Sequence, residues 1–160
     1  MKVAIIGAGS LGQSIGKGLL KNNVVSSLYL TKRNTNSIKD FNNYDEVVLT
    51  SDNSEAVINS DILIFAVQPR HFNRILESIV PHLNKNHVLI SVITGFSISK
   101  IEAIVSKDIS IIRSMPNTAA SVAQSMTCLS PNTKGKEKIE FAKTIFNSLG
   151  VSMEIPEEQL

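Results

Sequence analysis

At 160 residues the chain has the length of one domain and can bury a sizeable core. A formal net charge of +2, with 19% charged and 42% hydrophobic residues, is ordinary for a globular protein and too weak to point to nucleic acid or a membrane surface. The single cysteine, Cys128, excludes an intrachain disulfide and fits a reducing compartment.

No stretch approaches the roughly 18 consecutive apolar residues of a membrane span. The opening MKVAIIGAGSLG has an apolar part too short, and too soon broken by glycine, for a signal peptide. The expectation is a cytoplasmic protein.

In chain order, Val3-Ala4-Ile5-Ile6 is an apolar run stopped by Gly7, as in a buried strand. Residues 10–22 place Leu11, Ile15, Leu19 and Leu20 on one helical stripe, with Asn22-Asn23 as the stop. Strands follow at 27–31, 47–50 and 61–67, the last (DILIFAV) a β-rich run ended by Pro69. A helix over about 71–80 aligns Phe72, Ile75, Leu76 and Ile79. Strands at 88–94 and 109–113 flank the helical SKIEAIVS. Strands at 125–130 and 151–155 flank a helix near 136–148. Cys128, in SMTCLS, reads as a packed, inert thiol. KGKEK (134–138) reads as a solvated helix start rather than a binding patch.

Strands apolar on both faces that alternate with helices predict an α/β fold: a Rossmann-like, doubly wound, mostly parallel sheet with helices on both faces. This domain spans 1–155. At 156–160, Pro156 followed by Glu157 and Glu158 has the chemistry of a new helix start.

Gly7-Ala8-Gly9-Ser10-Leu11-Gly12 matches G-x-G-x-x-G and stands between a strand and a helix, where that pattern binds dinucleotides. Gly7 permits the tight turn, Gly9 lets a pyrophosphate reach the backbone, and Gly12 allows close helix–strand packing. The helix N-terminus offers unpaired N–H donors to the phosphates. NAD binders carry an acid about 20 residues further on, at the end of the second strand, for the ribose 2′-hydroxyl. Here that place holds Thr31, Lys32, Arg33 and Asn34: a hydroxyl, two cations and an amide. A carboxylate would repel a 2′-phosphate, whereas Arg suits one. NADP(H) is therefore the favoured ligand, with NAD(H) as the alternative.

Ala66-Val67-Gln68-Pro69 leaves the fourth strand and Thr94-Gly95-Phe96 the fifth, both at the sheet edge where open α/β sheets bind ligands. Gly95 suggests close approach or an unusual dihedral. In Arg113-Ser114-Met115-Pro116-Asn117-Thr118, Pro116-Asn117 reads first as a turn. His71, His82 and His87 lack metal-ligand spacing, and no carboxylate pair or Cys–His cluster stands out. The chemistry then belongs to a cofactor, with the protein supplying orientation.

The set AIIGAGSLGQSIGKGLL, LTKRN, ILIFAVQPRHF, SVITGFSISKIE and IIRSMPNTAASV, in this order, resembles pyrroline-5-carboxylate reductase over essentially all 160 residues. The resemblance implies NAD(P)H-dependent reduction of Δ1-pyrroline-5-carboxylate, a cyclic imine carboxylate, to L-proline, the last step of proline biosynthesis. It implies a Rossmann-like half followed by a helical dimerisation domain, absent from this chain, that supplies much of the substrate site. By resemblance, Gly7 to Gly12 hold the pyrophosphate and Thr31 to Asn34 the ribose phosphate, with Asn53 near the adenosine. Ala66 to Pro69 and Thr94-Gly95 line the nicotinamide side, and Met115, Pro116 and Asn117 border nicotinamide and substrate. Members commonly carry a lysine where this chain has Gln68, and Ala-Gly where it has Thr94-Gly95. A coenzyme-F420-dependent NADP oxidoreductase or a non-catalytic NADP-binding module would use the same glycines.

Overall fold

The computed structural model describes residues 1–117 and 124–160. In chain order the strands and helices are β1 (Lys2–Ile6), α1 (Ser10–Lys21), β2 (Ser27–Thr31), β3 (Val47–Thr50), α2 (Asn53–Ile58), β4 (Ile62–Phe65), α3 (Pro69–Ile79), β5 (Val88–Ser91), α4 (Ile98–Val105), β6 (Ser110–Met115), β7 (Ser125–Pro131), α5 (Ile139–Asn147) and β8 (Gly150–Glu154). Short 3-10 turns occupy Thr35–Asn43, Val80–His82, Gly135–Lys138 and Glu157–Gln159.

One eight-stranded sheet has the order β3-β2-β1-β4-β5-β6-β7-β8. Every neighbouring pair is parallel except β6–β7, where Met115 faces Cys128 in an antiparallel register. The switch of direction, between β1 and its two neighbours β2 and β4, is where a doubly wound sheet opens its crevice.

Alternate residues of the central strands feed two cores. Val3, Ile5, Ile62, Ile64 and Ile90 pack with Ile15, Leu19, Phe41 and Phe146 on the α1–α5 face. Ala4, Ile6, Leu63, Phe65 and Leu89 pack with Val57, Phe72, Leu76 and Ile101 on the α2–α3–α4 face. A strand buried on both faces cannot show polar alternation, which is why these runs are continuously apolar. Phe72 joins α3 to the sheet and to the loop after β5, with ring centroids 5.6 Å from Phe65 and 4.8 Å from Phe96. Burying a side chain of this size stabilises by about 1.5–3 kcal/mol.

Several elements depart from the sequence reading. β4 and β5 are shorter than 61–67 and 88–94, and α3 starts at Pro69 because proline at the first helical position needs no N–H partner. The helix expected near 136–148 splits into the Gly135–Lys138 turn and α5. Cys128 is half-buried rather than packed inside, since no helix among the described residues covers that face of β7 and β8, where Met126, Val151 and Met153 are exposed. No helix among the described residues is long and apolar enough to cross a membrane.

Candidate functional site

The chain turns from β1 into α1 through Gly7, whose φ of +94° suits glycine. A Cβ on Gly7 would stand 2.5 Å from Val67 Cγ1, so its bareness also lets the end of β4 close in. A Cβ on Gly12 would lie 2.6 Å from the Gly7 carbonyl oxygen, so that glycine serves helix–strand packing. Gly9 differs: its Cβ would meet nothing within 4 Å. The space left free there lies outside the protein's own packing, as a ligand's approach requires.

Thr31 ties this loop to β2. Its hydroxyl accepts from the Gly7 N–H at 3.1 Å, and its carbonyl accepts from the Ala8 N–H at 2.8 Å. At 3% exposure Thr31 spends its hydroxyl and carbonyl on this loop while standing in the wall of the space the loop borders.

The helices differ in how they begin. Asp52 caps α2 by accepting from the N–H groups of Ser54 and Glu55, and Ser97 caps α4 by accepting from Lys100. α1 and α3 begin at Gly9 and Gln68 without any side-chain cap. The first-turn N–H groups of α1 stand at the sheet edge with the partial positive charge of a helix N-terminus, whereas α3 starts on Pro69, which has no N–H, and its His71 N–H donates to the Gln68 carbonyl at 2.9 Å.

These parts enclose a cleft of about 720 Å³. Of the residues expected from sequence, Gly7, Ala8, Gly9, Thr31, Lys32, Arg33, Asn34, Asn53, Ala66, Val67 and Gln68 line it. Asn34 uses its side-chain oxygen to accept from Asn36, and Asn53 is the first residue of α2. Ser10, Leu11, Gly12 and Pro69 support the walls from within their helices. Thr94 and Gly95 follow β5, with Gly95 at φ +80°, and lie outside this cleft, as do Met115 at the end of β6 and Pro116 and Asn117 after it. All end at the same sheet edge. Three strand steps separate β6 from β1, roughly 14 Å at ~4.8 Å per strand. Thr118, the last residue of the Arg113 segment, and the rest of the MPNTAASV motif to Val122 lie outside the described residues.

Sequence reasoning missed Ser51 and a whole stripe of α3, His71, Arg74, Ile75 and Ser78. The signal was present as the spacing i, i+3, i+4, i+7, hidden behind the apolar stripe of the same helix. Charged side chains in the lining are Lys32, Arg33 and Arg74, with no Asp or Glu among the described lining residues. The His71 pKa is lowered, first by partial removal from water and then by Arg70, Arg33 and Arg74.

A second groove of about 710 Å³ runs between α4 and the end of β7 and β8. Glu102, Glu154 and Glu157 outnumber its one cation, Lys136, so it suits phosphate poorly. There Glu157 accepts from the Ile98 N–H at 2.7 Å and pairs with Arg113 at 3.2 Å.

A protein-family model described as "NADP oxidoreductase coenzyme F420-dependent" matches residues 2–95. Pyrroline-5-carboxylate reductase 1 of Dictyostelium discoideum is 41% identical to this chain over 99% of its length, covering 31% of the relative. Pyrroline-5-carboxylate reductase 2 of the same organism is 34% identical, covering 99% of this chain and 58% of the relative. Among solved structures, pyrroline carboxylate reductase of Plasmodium falciparum with NADP bound superposes with a TM-score of 0.87 at 26% identity. It covers 99% of this chain and 59% of that one. The corresponding enzyme of Coxiella burnetii gives 0.90 at 28% identity, covering 98% and 59%. The chain thus spans from about a third to about three-fifths of the length of these relatives.

Proposed function

The chain belongs to the coenzyme F420-dependent NADP oxidoreductase family, and from that premise we propose that it forms the NADPH-binding part of a pyrroline-5-carboxylate reductase. The observation that carries the cofactor assignment is the cleft lining, which joins an open Gly9 position to three cations and, among the described residues, no carboxylate. An extended, multiply phosphorylated ligand fits that chemistry. The substrate assignment rests on the likeness to reductases named for pyrroline-5-carboxylate over 99% of this chain.

In this reading the Gly7–Gly12 loop and the open start of α1 hold the pyrophosphate. Lys32, Arg33 and Asn34 meet the ribose 2′-phosphate, Thr31 holds their loop in register, and Asn53 lies beside the adenosine. Ala66 to Pro69, Thr94 and Gly95 line the nicotinamide side, and Met115, Pro116 and Asn117 border the imine. When bound, the cofactor supplies a hydride from C4 of the nicotinamide for the C=N carbon. Gln68 gives that wall an amide where a lysine would add charge, so proton delivery falls to other groups. The protein works in the cytoplasm, and a helical domain beyond residue 155 of the kind its relatives' extra length accommodates makes it a homo-oligomer.

The test is titration calorimetry with NADPH and NADH, followed by NADPH oxidation in the presence of pyrroline-5-carboxylate. NADPH should bind more tightly by ~1–3 kcal/mol, the range for charge-assisted hydrogen bonds. Equal or tighter NADH binding overturns the cofactor assignment. Turnover should be slow for residues 1–160 alone and rise when the remaining length of a relative is joined to them. Positioning of two reactants contributes ~7–11 kcal/mol of a barrier, and one wall of the cleft is needed for it. The family match at residues 2–95 favours one second reading, transfer between NADP and a deazaflavin. Hydride exchange with that cofactor, and none with the imine, would select it.

A further inference from the structure

The stripe that α3 presents to the cleft includes His71 and Arg74, one helical turn apart, while Phe72, Leu76 and Ile79 on its other side are buried in the core. Packing of that apolar side fixes which residues face the cleft. From the other direction, the segment leaving β2 brings Lys32 and Arg33 to the same space. Neither Arg74 nor Lys32 nor Arg33 has an ion-pair partner; the two salt bridges among the described residues, Arg113–Glu157 and Lys143–Glu140, lie elsewhere. Carboxylates on the adjoining α2 are turned to other work. Asp52 accepts from the N–H groups of Ser54 and Glu55, and Glu55 accepts from the Thr50 hydroxyl.

Arg33 on one wall and Arg74 on the other, together with Arg70, are near enough to His71 to oppose a proton on its ring. Cations gathered across a concave surface without a counter-charge repel one another, and an anion placed between them relieves that repulsion.

We propose that α3 supplies the second wall of the 2′-phosphate site, with Arg74 and His71 closing on the phosphate from the side opposite Lys32 and Arg33. The inference rests on the reading that this cleft binds NADPH. Arg74 gives the phosphate forked N–H donors, and His71 donates from its ring. A dianion among these groups reverses the field at the imidazole, so the ring takes up a proton as the phosphate arrives. Preference for the phosphorylated dinucleotide is then set by two elements of the fold rather than by the β2 segment alone.

The experiment uses the full chain and the variants Arg74→Met and His71→Gln, titrated with NADPH, NADH and adenosine 2′,5′-bisphosphate. Arg74→Met should weaken NADPH and the bisphosphate about tenfold or more, while NADH changes by less than about threefold. Proton uptake is read from buffers of different ionisation heat at pH ~7.5, where a phosphate of second pKa ~6 is already dianionic. It should be present in the parent chain and absent in His71→Gln. The proposal is overturned if Arg74→Met shifts both dinucleotides equally or neither, or if His71→Gln retains the uptake. Failure of the underlying reading looks different: the parent chain would bind neither dinucleotide, or would prefer NADH, and both conclusions would fall together.

Discussion

The Thr31 hydroxyl accepts a hydrogen bond from the Gly7 N–H at 3.1 Å and thereby locks the end of β2 to the turn that opens α1. Thr31→Val keeps the shape and removes the acceptor, leaving a part-buried N–H without it at a cost of about 1 kcal/mol. NADPH and NADH affinities should fall together, because the loop is displaced while the cations stay. Thr31→Ser should restore both. Chemical denaturation and calorimetry on the same samples separate this role from a direct phosphate contact, which would weaken NADPH alone.

Gly9 and Gly12 should respond oppositely to added side chains. Gly9→Val enters open space and should abolish dinucleotide binding with an unchanged denaturation midpoint. Gly12→Ala drives a Cβ to 2.6 Å from the Gly7 carbonyl and should cost ~1–3 kcal/mol of stability through overpacking. Equal stability losses in the two variants would contradict the assignment of the free space at Gly9.

His87 is buried and uses both ring nitrogens: Nδ1 faces the Asn84 N–H and Nε2 the Val57 carbonyl, each at 3.1 Å. A backbone N–H can only donate, so Nδ1 is the acceptor and Nε2 carries the hydrogen. His87→Leu strands the Asn84 N–H, while the Val57 carbonyl keeps the Ser60 N–H at 3.3 Å, and should destabilise by about 1–3 kcal/mol, one desolvation penalty. Urea unfolding measures it, and a loss below ~0.5 kcal/mol would show that water replaces the ring.

Glu157 joins the start of α4 to Arg113, whose side chain is 12% exposed. Glu157→Ala removes the acceptor for both donors and should cost ~1–2 kcal/mol, less than a fully buried pair because the carboxylate is part-exposed. Glu157→Gln keeps the Ile98 contact and should lose about half as much. Thermal denaturation of the three proteins gives the order.

His71 makes stability and binding respond to acid with opposite signs. Its folded pKa lies below the unfolded value, so the unfolded chain binds more protons and stability declines as pH falls through ~6.5. A bound phosphate raises that pKa and reverses the trend. Melting temperatures measured from pH ~7.5 to ~5.5, with and without adenosine 2′,5′-bisphosphate, should diverge in the parent and run parallel in His71→Gln.

The sheet was largely legible because strands buried on both faces are apolar without interruption, as in Ile62–Phe65. The G-x-G-x-x-G loop was legible because its strand and helix neighbours have strong patterns of their own. α2 escaped because six residues bury only Ala56 and Val57, though Asp52 with Glu55 three positions later was a capping signal. The antiparallel turn into β7 was also available. Nine residues between Met115 and Ser125 are too few for the crossover a parallel pair requires. Thr31's role was not readable, since sequence gives its place after β2 but not the Gly7 N–H behind it. The polar stripe of α3 was overlooked because an apolar period and a polar period coexist on one helix.

The contrast between capped α2 and α4 and uncapped α1 and α3 has a consequence for how the free chain breathes. First turns without side-chain caps open locally at little cost, so amide hydrogens at residues 10–12 of α1 and at Arg70 of α3 should exchange with solvent before those of α2 and α4. A dinucleotide seated on those turns would act as the absent cap and slow that exchange. Ligand concentration then becomes a determinant of folding stability, adding about 2.7 kcal/mol at one hundred times Kd. A chain kept supplied with its cofactor would stay ordered at its own working edge, and one deprived of it would fray there first.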